Sequence, residues 1–243
     1  MIQRIIILLL VYVLAGCMAT RQTPKPETIK PYMSHYIDVP EPSDLVYYAK
    51  YNSLFIVSDD GDLYETTLDG KIIRKSPIEG VDFEAITIVN DTLYVVEERH
   101  RNVLVIEPKD LKLIKTIQIP YAGGRNKSFE SITYIPEKKS FLLITEKDPV
   151  YIMEFDRNFR SINIIRFQHA RDISSATYYD GHLYLLSDED RTIFKLSTLD
   201  YSILSAWKIP VINPEGILFM PDRTLRIISD DREKMYYFKN PNP

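Results

Sequence analysis

Acidic side chains recur at two positions of a repeated sequence pattern, and carboxylates that meet in space can bind a cation. The first position carries Glu84, Glu130 and Glu215, each followed by a small residue. The second position ends an apolar run with an acid, as in LYVVEE at Glu97 and Glu98. Carboxylates that lie close together repel one another unless a cation or a basic partner neutralises them, and hard oxygen ligands suit calcium. These residues therefore predict calcium binding, provided that the fold brings them together.

The repeat itself predicts a fold that does so. Its first position falls at residues 43, 84, 130, 174 and 215, with a mean step of 43 residues. Its second position follows runs such as LFIVSD and LYLLSD, and falls at residues 59, 98, 146, 188 and 230. Four short apolar strands per unit, at a period of about 40 to 45 residues, are typical of propeller blades. We therefore predict an all-β, five-bladed β-propeller.

The last blade is predicted to be closed by an N-terminal strand. The fifth unit supplies only three strands before Pro243, whereas the segment Ser34–Pro40, SHYIDVP, precedes the first unit as AWKIP and KTIQIP precede later ones. Closure by this segment would remove an exposed sheet edge. A β-sandwich with similar strand spacing would explain neither the repeat nor the divided blade.

Strand direction places both acidic positions at one face of the propeller. The first two strands of a blade are antiparallel, so the start of one and the end of the other both lie at the mouth of the central channel. An acid occupies the second position in all five units, which favours a structural role there, whereas glutamate occupies the first position in only three. Because broken symmetry suits an off-axis site, we predict Glu84, Glu97, Glu130 and Glu215 as calcium ligands. The alternative is that the acids cap turns through hydrogen bonds to the backbone.

These motifs also carry a family resemblance. The run from Glu41 to Arg99, together with NPEGILFMPDRTLRIISDD near the C-terminus, resembles the SdiA-regulated family of bacterial envelope proteins. The resemblance covers the chain from about Glu41 onward and implies a five-bladed propeller, distantly related to NHL repeats, with a calcium site. The family's Glu-Gly segments fall on Glu84, Glu130 and Glu215, of which only the last keeps the glycine.

The N-terminus has the layout of an export signal. Residues 1–16 have a basic start at Arg4, an apolar run and small residues before Cys17, the only cysteine. A spanning anchor is the alternative, but the apolar run is shorter than the about 20 residues that a membrane requires. Leu14 to Cys17 resembles the lipobox of bacterial lipoproteins, which implies an acylated Cys17 and attachment to the cell envelope. Met18, rather than aspartate, then implies the outer membrane.

Domain boundaries follow from this division. Residues 1–16 are predicted to be the signal peptide, residues 17–32 an acylated N-terminus with a proline-rich tether, and residues 33–243 the propeller. A net charge of −4 argues against a nucleic acid partner.

Two functions fit this organisation. One is a non-catalytic binding or scaffolding module for a protein or a small anionic ligand, with Arg99, Arg125 and Arg171 as candidate ligand-binding residues. The preferred alternative for these arginines is that they balance neighbouring carboxylates. The other function is a metal-dependent hydrolase of lactones or phosphoesters, but the chain lacks HExxH and G-x-S-x-G motifs. We therefore favour the binding module over an enzyme.

Overall fold

The computed structural model describes residues 26–122 and 128–242, which form 21 β-strands and no helix. The predicted signal peptide, Cys17 and Arg125 lie outside these residues. Within the described ranges there is accordingly no helix that could cross a membrane. Two short strands precede the blades, β1 (Glu27–Thr28) and β2 (Met33–Tyr36).

The other strands follow in groups of four, with three in the last group. The first three groups are β3 (Pro42–Tyr48), β4 (Ser53–Ser58), β5 (Asp62–Thr66) and β6 (Ile72–Lys75); β7 (Phe83–Val89), β8 (Thr92–Glu97), β9 (Asn102–Glu107) and β10 (Lys112–Gln118); and β11 (Phe129–Ile135), β12 (Ser140–Thr145), β13 (Tyr151–Phe155) and β14 (Ser161–Arg166). The last two are β15 (Ser175–Tyr179), β16 (His182–Ser187), β17 (Thr192–Ser197) and β18 (Ile203–Lys208); and β19 (Pro214–Phe219), β20 (Leu225–Ser229) and β21 (Lys234–Phe238).

Each group forms one antiparallel sheet, and the sheets are the blades of a five-bladed propeller, as the repeat predicts. The first strand of every blade is innermost, because β3, β7, β11, β15 and β19 contact one another around the ring. The second strand is buried throughout in the first and third blades, whereas the outer strands β10 and β14 are mostly exposed. This gradient matches the sequence, in which the second strand of each unit has the most continuous apolar run.

The hydrophobic core is divided into five clusters, each between two adjacent blades. The clusters join blades one and two, two and three, three and four, four and five, and five and one. Every blade therefore packs against both neighbours. All the strands and all five clusters of the described residues lie at or beyond residue 27, so the chain from residue 26 onward contains every one of these clusters.

The fifth blade takes its outer strand from the N-terminal side of the chain. Strand β2 pairs antiparallel with β21, with Ser34 opposite Tyr236. The strand covers only the first part of the segment that the sequence analysis assigned to it. Beyond the strand, Ile37 and Val39 are 5% and 0% exposed and belong to the cluster between the fifth and first blades.

The end of the predicted tether is also in contact with the propeller. Strand β1 pairs in parallel with β18, with Glu27 opposite Trp207. The amide of Ile29 donates to the carbonyl of Lys208 at 2.9 Å, and its side chain packs against the cluster between the fourth and fifth blades. The part of the tether from Glu27 to Ile29 is therefore bound to the fourth blade, and the amide of Tyr32 donates to the carbonyl of Tyr237 in the fifth at 2.8 Å.

Candidate metal site

Irregular strand pairing at the start of the inner strands turns the first-position residues toward the channel. The pairing of the inner strand with the second strand shifts by one residue at Ser43, Glu84, Glu130 and Glu215. A β-bulge of this kind leaves one residue unpaired and redirects its side chain. All four side chains line one cavity at the channel mouth.

This mouth cavity has a volume of about 240 Å³ and is strongly acidic. Among the described residues that line it, ten are acidic and a single one, Lys147, is basic. The acidic residues come from all five blades and from both predicted positions: Glu41, Asp59, Glu84, Glu130, Glu146, Asp172, Asp188, Glu189, Glu215 and Asp230. The structure thus brings Glu84, Glu130 and Glu215 to one cavity, as the sequence analysis predicts.

Two groups of three carboxylates at this mouth have the spacing of metal ligands, and they share Glu84. In the first, one oxygen each of Asp59, Asp82 and Glu84 lies within 4.8 Å of the others. In the second, the same holds for Glu84, Glu98 and Glu130. Because calcium binds oxygen at about 2.3 to 2.6 Å, ligands on opposite sides of one ion are separated by at most about 5 Å. Both groups meet that limit.

Glu97, one of the four predicted ligands, is not part of either group. Its carboxylate accepts a hydrogen bond from the amide of Val81 at 3.1 Å and another from the side chain of Asn102 at 2.9 Å, and it lies 3.1 Å from the ring of His100. The carboxylate of the next residue, Glu98, lies in the cluster instead. The assignment of Glu97 as a ligand is thus not supported by its contacts.

The position of Glu97 explains what it does. In the first and fifth blades the corresponding residues are Ser58 and Ser229, whose hydroxyls donate to the carbonyls of Pro40 and Ile212 in the loop before the inner strand. Glu97 ties down the same loop in the second blade, but as an acceptor from Val81. Glu97 therefore holds the same loop as the serines do, but it accepts the hydrogen bond that they would donate.

Four acids of the repeated second position line the mouth cavity: Asp59, Glu146, Asp188 and Asp230. Their presence in every unit nevertheless favours a structural role. The structural contact comes from the backbone: the amides of Asp59, Glu98 and Glu146 donate to carbonyls in the loops before the inner strands at 2.9 to 3.1 Å. In the case of Glu98, one carboxylate oxygen also accepts from the amide of Ser128 in the third blade at 2.7 Å. The backbone thus makes the structural contact, whereas the side chains of Asp59, Glu146, Asp188 and Asp230 line the cavity.

Confinement of these carboxylates raises their pKa values. Burial, followed by the negative charges of Asp82, Asp59 and Glu98, raises the pKa of Glu84 to about 8. A hydrogen bond with Asp82, burial and the charge of Asp82 raise the pKa of Asp59 to about 7. Burial and neighbouring glutamates raise the pKa of Glu130 well above its ordinary value. Without a cation, the cluster therefore holds protons at neutral pH.

Glu215 lies on the fifth blade, which is next to the first blade in the ring. Burial raises the pKa of Glu215 well above the ordinary value. The negative charges of Asp230 and Asp188 have the next largest effects. The negative charge of Glu84 also raises the pKa of Glu215, so carboxylates of the second and fifth blades act on one another. Glu215 therefore belongs to the mouth cavity but to neither group of ligand-spaced oxygens.

The candidate anion-binding arginines within the described residues are paired with carboxylates. Arg99 contacts Asp82 with an Nε to Oδ2 distance of 2.7 Å, and Arg171 contacts Asp190 with an Nε to Oδ1 distance of 2.9 Å. This is the arrangement that the charge-balance alternative predicts. Asp82, the partner of Arg99, is also one of the ligand-spaced carboxylates.

A buried hydrogen bond crosses the channel below the mouth. The hydroxyl of Ser175 in the fourth blade donates to Asp44 Oδ1 in the first blade at 2.9 Å, and both residues are buried. Asp44 Oδ2 accepts from the amide of Ile86 at 3.0 Å. Burial nevertheless raises the pKa of Asp44 to about 8. Asp44 and Ser175 directly follow Ser43 and Ser174, which line the mouth cavity.

Solved structures share this fold at low sequence identity. Glutaminyl cyclase from Myxococcus xanthus aligns over 88% of this chain and 98% of its own, with a TM-score of 0.67 and 11% identity. Hydrazine synthase from Kuenenia stuttgartiensis aligns over 79% of this chain and 57% of its own, with a TM-score of 0.53 and 14% identity. Both likenesses concern the fold alone. The model of the SdiA-regulated family matches residues 37–242, most of the chain and all five blades, so this protein belongs to the SdiA-regulated family.

Proposed function

We propose that the protein is a calcium-containing binding or scaffolding module held at the bacterial cell envelope by a lipid on Cys17. The observation that carries the calcium site is the pair of carboxylate groups that share Glu84. Carboxylate oxygens are the ligands that calcium prefers, and each group provides three of them at the spacing of one ion, before backbone carbonyls and water are counted. The residues present therefore fit the ion.

The five residues of the two groups come from three blades. Asp59 belongs to the first blade, Asp82, Glu84 and Glu98 to the second, and Glu130 to the third. When bound, the ion would offset the repulsion among their carboxylates and so favour the packing of these blades side by side. This role requires no reaction, which is consistent with a binding module.

A hydrolase remains the second candidate, and one observation favours it. A carboxylate with a pKa of about 8, such as Glu84, can exchange a proton near neutral pH, as a general acid or base must. Against it, no histidine lines the mouth cavity among the described residues. In addition, the ring of His100 is engaged with Glu97.

Turnover of a substrate panel separates the two candidates. The chain from residue 26 onward, supplied with calcium, is expected to hydrolyse none of a set of lactones and phosphoesters above the uncatalysed rate. Hydrolysis that disappears with EDTA and in Glu84→Gln would contradict the binding-module proposal and establish the enzyme. A catalytic rate unaffected by either change would indicate a contaminating activity, for which a mock purification is the control.

The lipid anchor has its own test. Replacing Cys17 by Ser in the full chain should abolish acylation, because the thiol is the atom that carries the lipid. Wild type should partition with membranes and carry a mass increment from acyl chains, whereas Cys17→Ser should show no such increment. A wild-type protein without lipid by mass spectrometry would refute the lipoprotein assignment.

A further inference from the structure

The channel opens into a second cavity at the face opposite the mouth. This far cavity has a volume of about 400 Å³ and is lined by the ends of the five inner strands. It shares no described lining residue with the mouth cavity. The hydrogen bond between Asp44 and Ser175 crosses the channel between the two, because both residues precede the far-cavity residues along their strands.

Aromatic rings form much of the wall of the far cavity. Tyr179 and Phe219 stack with ring centroids 4.3 Å apart and an interplanar angle of 9°, which makes one side of the cavity an aromatic surface. Tyr47, Tyr134 and Tyr178 line other parts of it. A pocket of roughly 300 to 1,000 Å³ with mainly apolar and aromatic walls is the usual form of a small-molecule site.

The tyrosine hydroxyls are held by residues at the rim. Tyr47 donates to Asn52 at 3.0 Å, Tyr134 accepts from Arg157 at 3.1 Å, and Tyr178 donates to Glu137. These contacts fix the rings before any ligand binds. A preorganised aromatic wall reduces the entropy that a ligand must overcome on binding.

The polar groups of the far cavity are hydroxyls rather than charges. No residue with a formal charge lines it within the part of the chain that the structure describes. Three threonines occupy equivalent places on neighbouring inner strands, Thr87, Thr133 and Thr177, and Thr133 Oγ1 accepts a hydrogen bond from the amide of Tyr178 at 3.0 Å. A hydroxyl that accepts in this way still has its proton available for donation.

We propose that the far cavity binds a small, uncharged aromatic molecule that carries a hydrogen-bonding group. The stacked Tyr179 and Phe219 would contact the face of its ring, and the threonine hydroxyls would bind its polar group. A charged ligand is disfavoured, because none of the described residues that line the cavity carries a charge that could pair with it. This site is independent of the proposed calcium site.

The test uses 2-naphthol, which is neutral at pH 7, and 2-naphthoate, which has the same rings and a negative charge. The protein is the chain from residue 26 onward, which contains all five core clusters. Titration calorimetry should show saturable binding of 2-naphthol at one site per chain, at least about tenfold tighter than binding of 2-naphthoate, the equivalent of about 1.4 kcal/mol. Equal affinities, or no binding of 2-naphthol, would overturn the proposal.

Variants locate the site. Thr87→Phe and Thr177→Phe fill the far cavity from two different blades, and each should weaken 2-naphthol binding by more than about tenfold. Thr116→Phe adds the same ring to the exposed outer strand β10 and serves as the matched control. Normal binding by both cavity variants would contradict the proposal.

A measurement on the unaltered chain keeps the proposal testable if the variants do not fold. Nuclear Overhauser effects from the rings of bound 2-naphthol should reach the side chains of Tyr179 and Phe219. Effects confined to exposed apolar side chains of the outer strand β14, such as Ile162 and Ile164, which are 58% and 53% exposed, would place the ligand elsewhere and refute the assignment.

Discussion

A chain that begins at residue 41 is expected to lose its cooperative thermal transition, whereas a chain that begins at residue 31 should keep it. The longer deletion removes strand β2, which leaves β21 with an unpaired edge. It also removes Ile37 and Val39, which are 5% and 0% exposed in the cluster between the fifth and first blades. Burial of these two side chains alone contributes about 3 to 6 kcal/mol, a large part of the usual stability of a domain.

The shorter deletion removes much less. It takes away the two-residue strand β1 and Ile29, which is only partly buried. Its melting temperature should fall by a few degrees relative to a chain that begins at residue 26, because a few hydrogen bonds and one partial contact are lost. Circular dichroism melts of the three chains provide the comparison. Equal melting of the chains that begin at residues 31 and 41 would show that β2 does not close the ring.

The fold could be predicted from the sequence because two features of the repeat indicate it independently. These features are the step of about 43 residues and the apolar run of each second strand, and both are visible in the sequence alone. The five interblade clusters then follow when similar units pack in a ring. Strand β1 was not predicted. Its pairing covers only Glu27 and Thr28, too short for an alternating apolar pattern to appear.

The sequence pattern does not distinguish Glu97 from Glu98 as a candidate ligand, and the reason is physical. Glu84 and Glu130 share the repeated first position, and their carboxylates lie in one group; their role as calcium ligands stays a prediction. Glu97 and Glu98 are adjacent, and successive residues of a strand point to opposite sides. The structure shows that the Glu97 carboxylate accepts a hydrogen bond from the amide of Val81 in the loop, whereas the Glu98 carboxylate lies in the cluster. One signal was available: Ser58, Ser187 and Ser229 hold the place of Glu97 in other blades.

Calcium is expected to stabilise the protein, and Glu84→Gln is expected to remove most of that effect. A ligand that binds only the folded state adds about 2.7 kcal/mol at a hundredfold excess over its Kd, or about 5 to 10 °C in melting temperature for a domain of this size. Glu84 contributes to both carboxylate groups, so its loss affects every ligand-spaced set. Differential scanning calorimetry with calcium and with EDTA measures the shift. Asp60→Asn, an exposed turn residue, is the control.

The pH dependence of the calcium-free protein has a definite sign. The pKa of Glu84 is about 8 in the folded chain and 4.5 at its ordinary value, so folding binds a proton between these pH values. The stabilisation from this group is fully present below its ordinary pKa and is lost as the pH rises through about 8. Without calcium, wild type should therefore lose stability from pH 6 to pH 8 more steeply than Glu84→Gln. Calcium should reduce this difference, because the bound ion replaces the proton.

Calcium titration of a matched pair of variants tests the central claim most directly. Calorimetry on the chain from residue 26 onward should show calcium binding to wild type, binding weakened by at least about tenfold in Glu98→Gln, and binding within about twofold of wild type in Glu97→Gln. The two substitutions remove the same charge from adjacent residues, so only the position of the carboxylate distinguishes them. Absence of binding to wild type up to about 10 mM calcium, well above the weak end of extracellular sites, would contradict the metal site. Loss of binding in Glu97→Gln with retention in Glu98→Gln would contradict the arrangement of ligands described for the mouth.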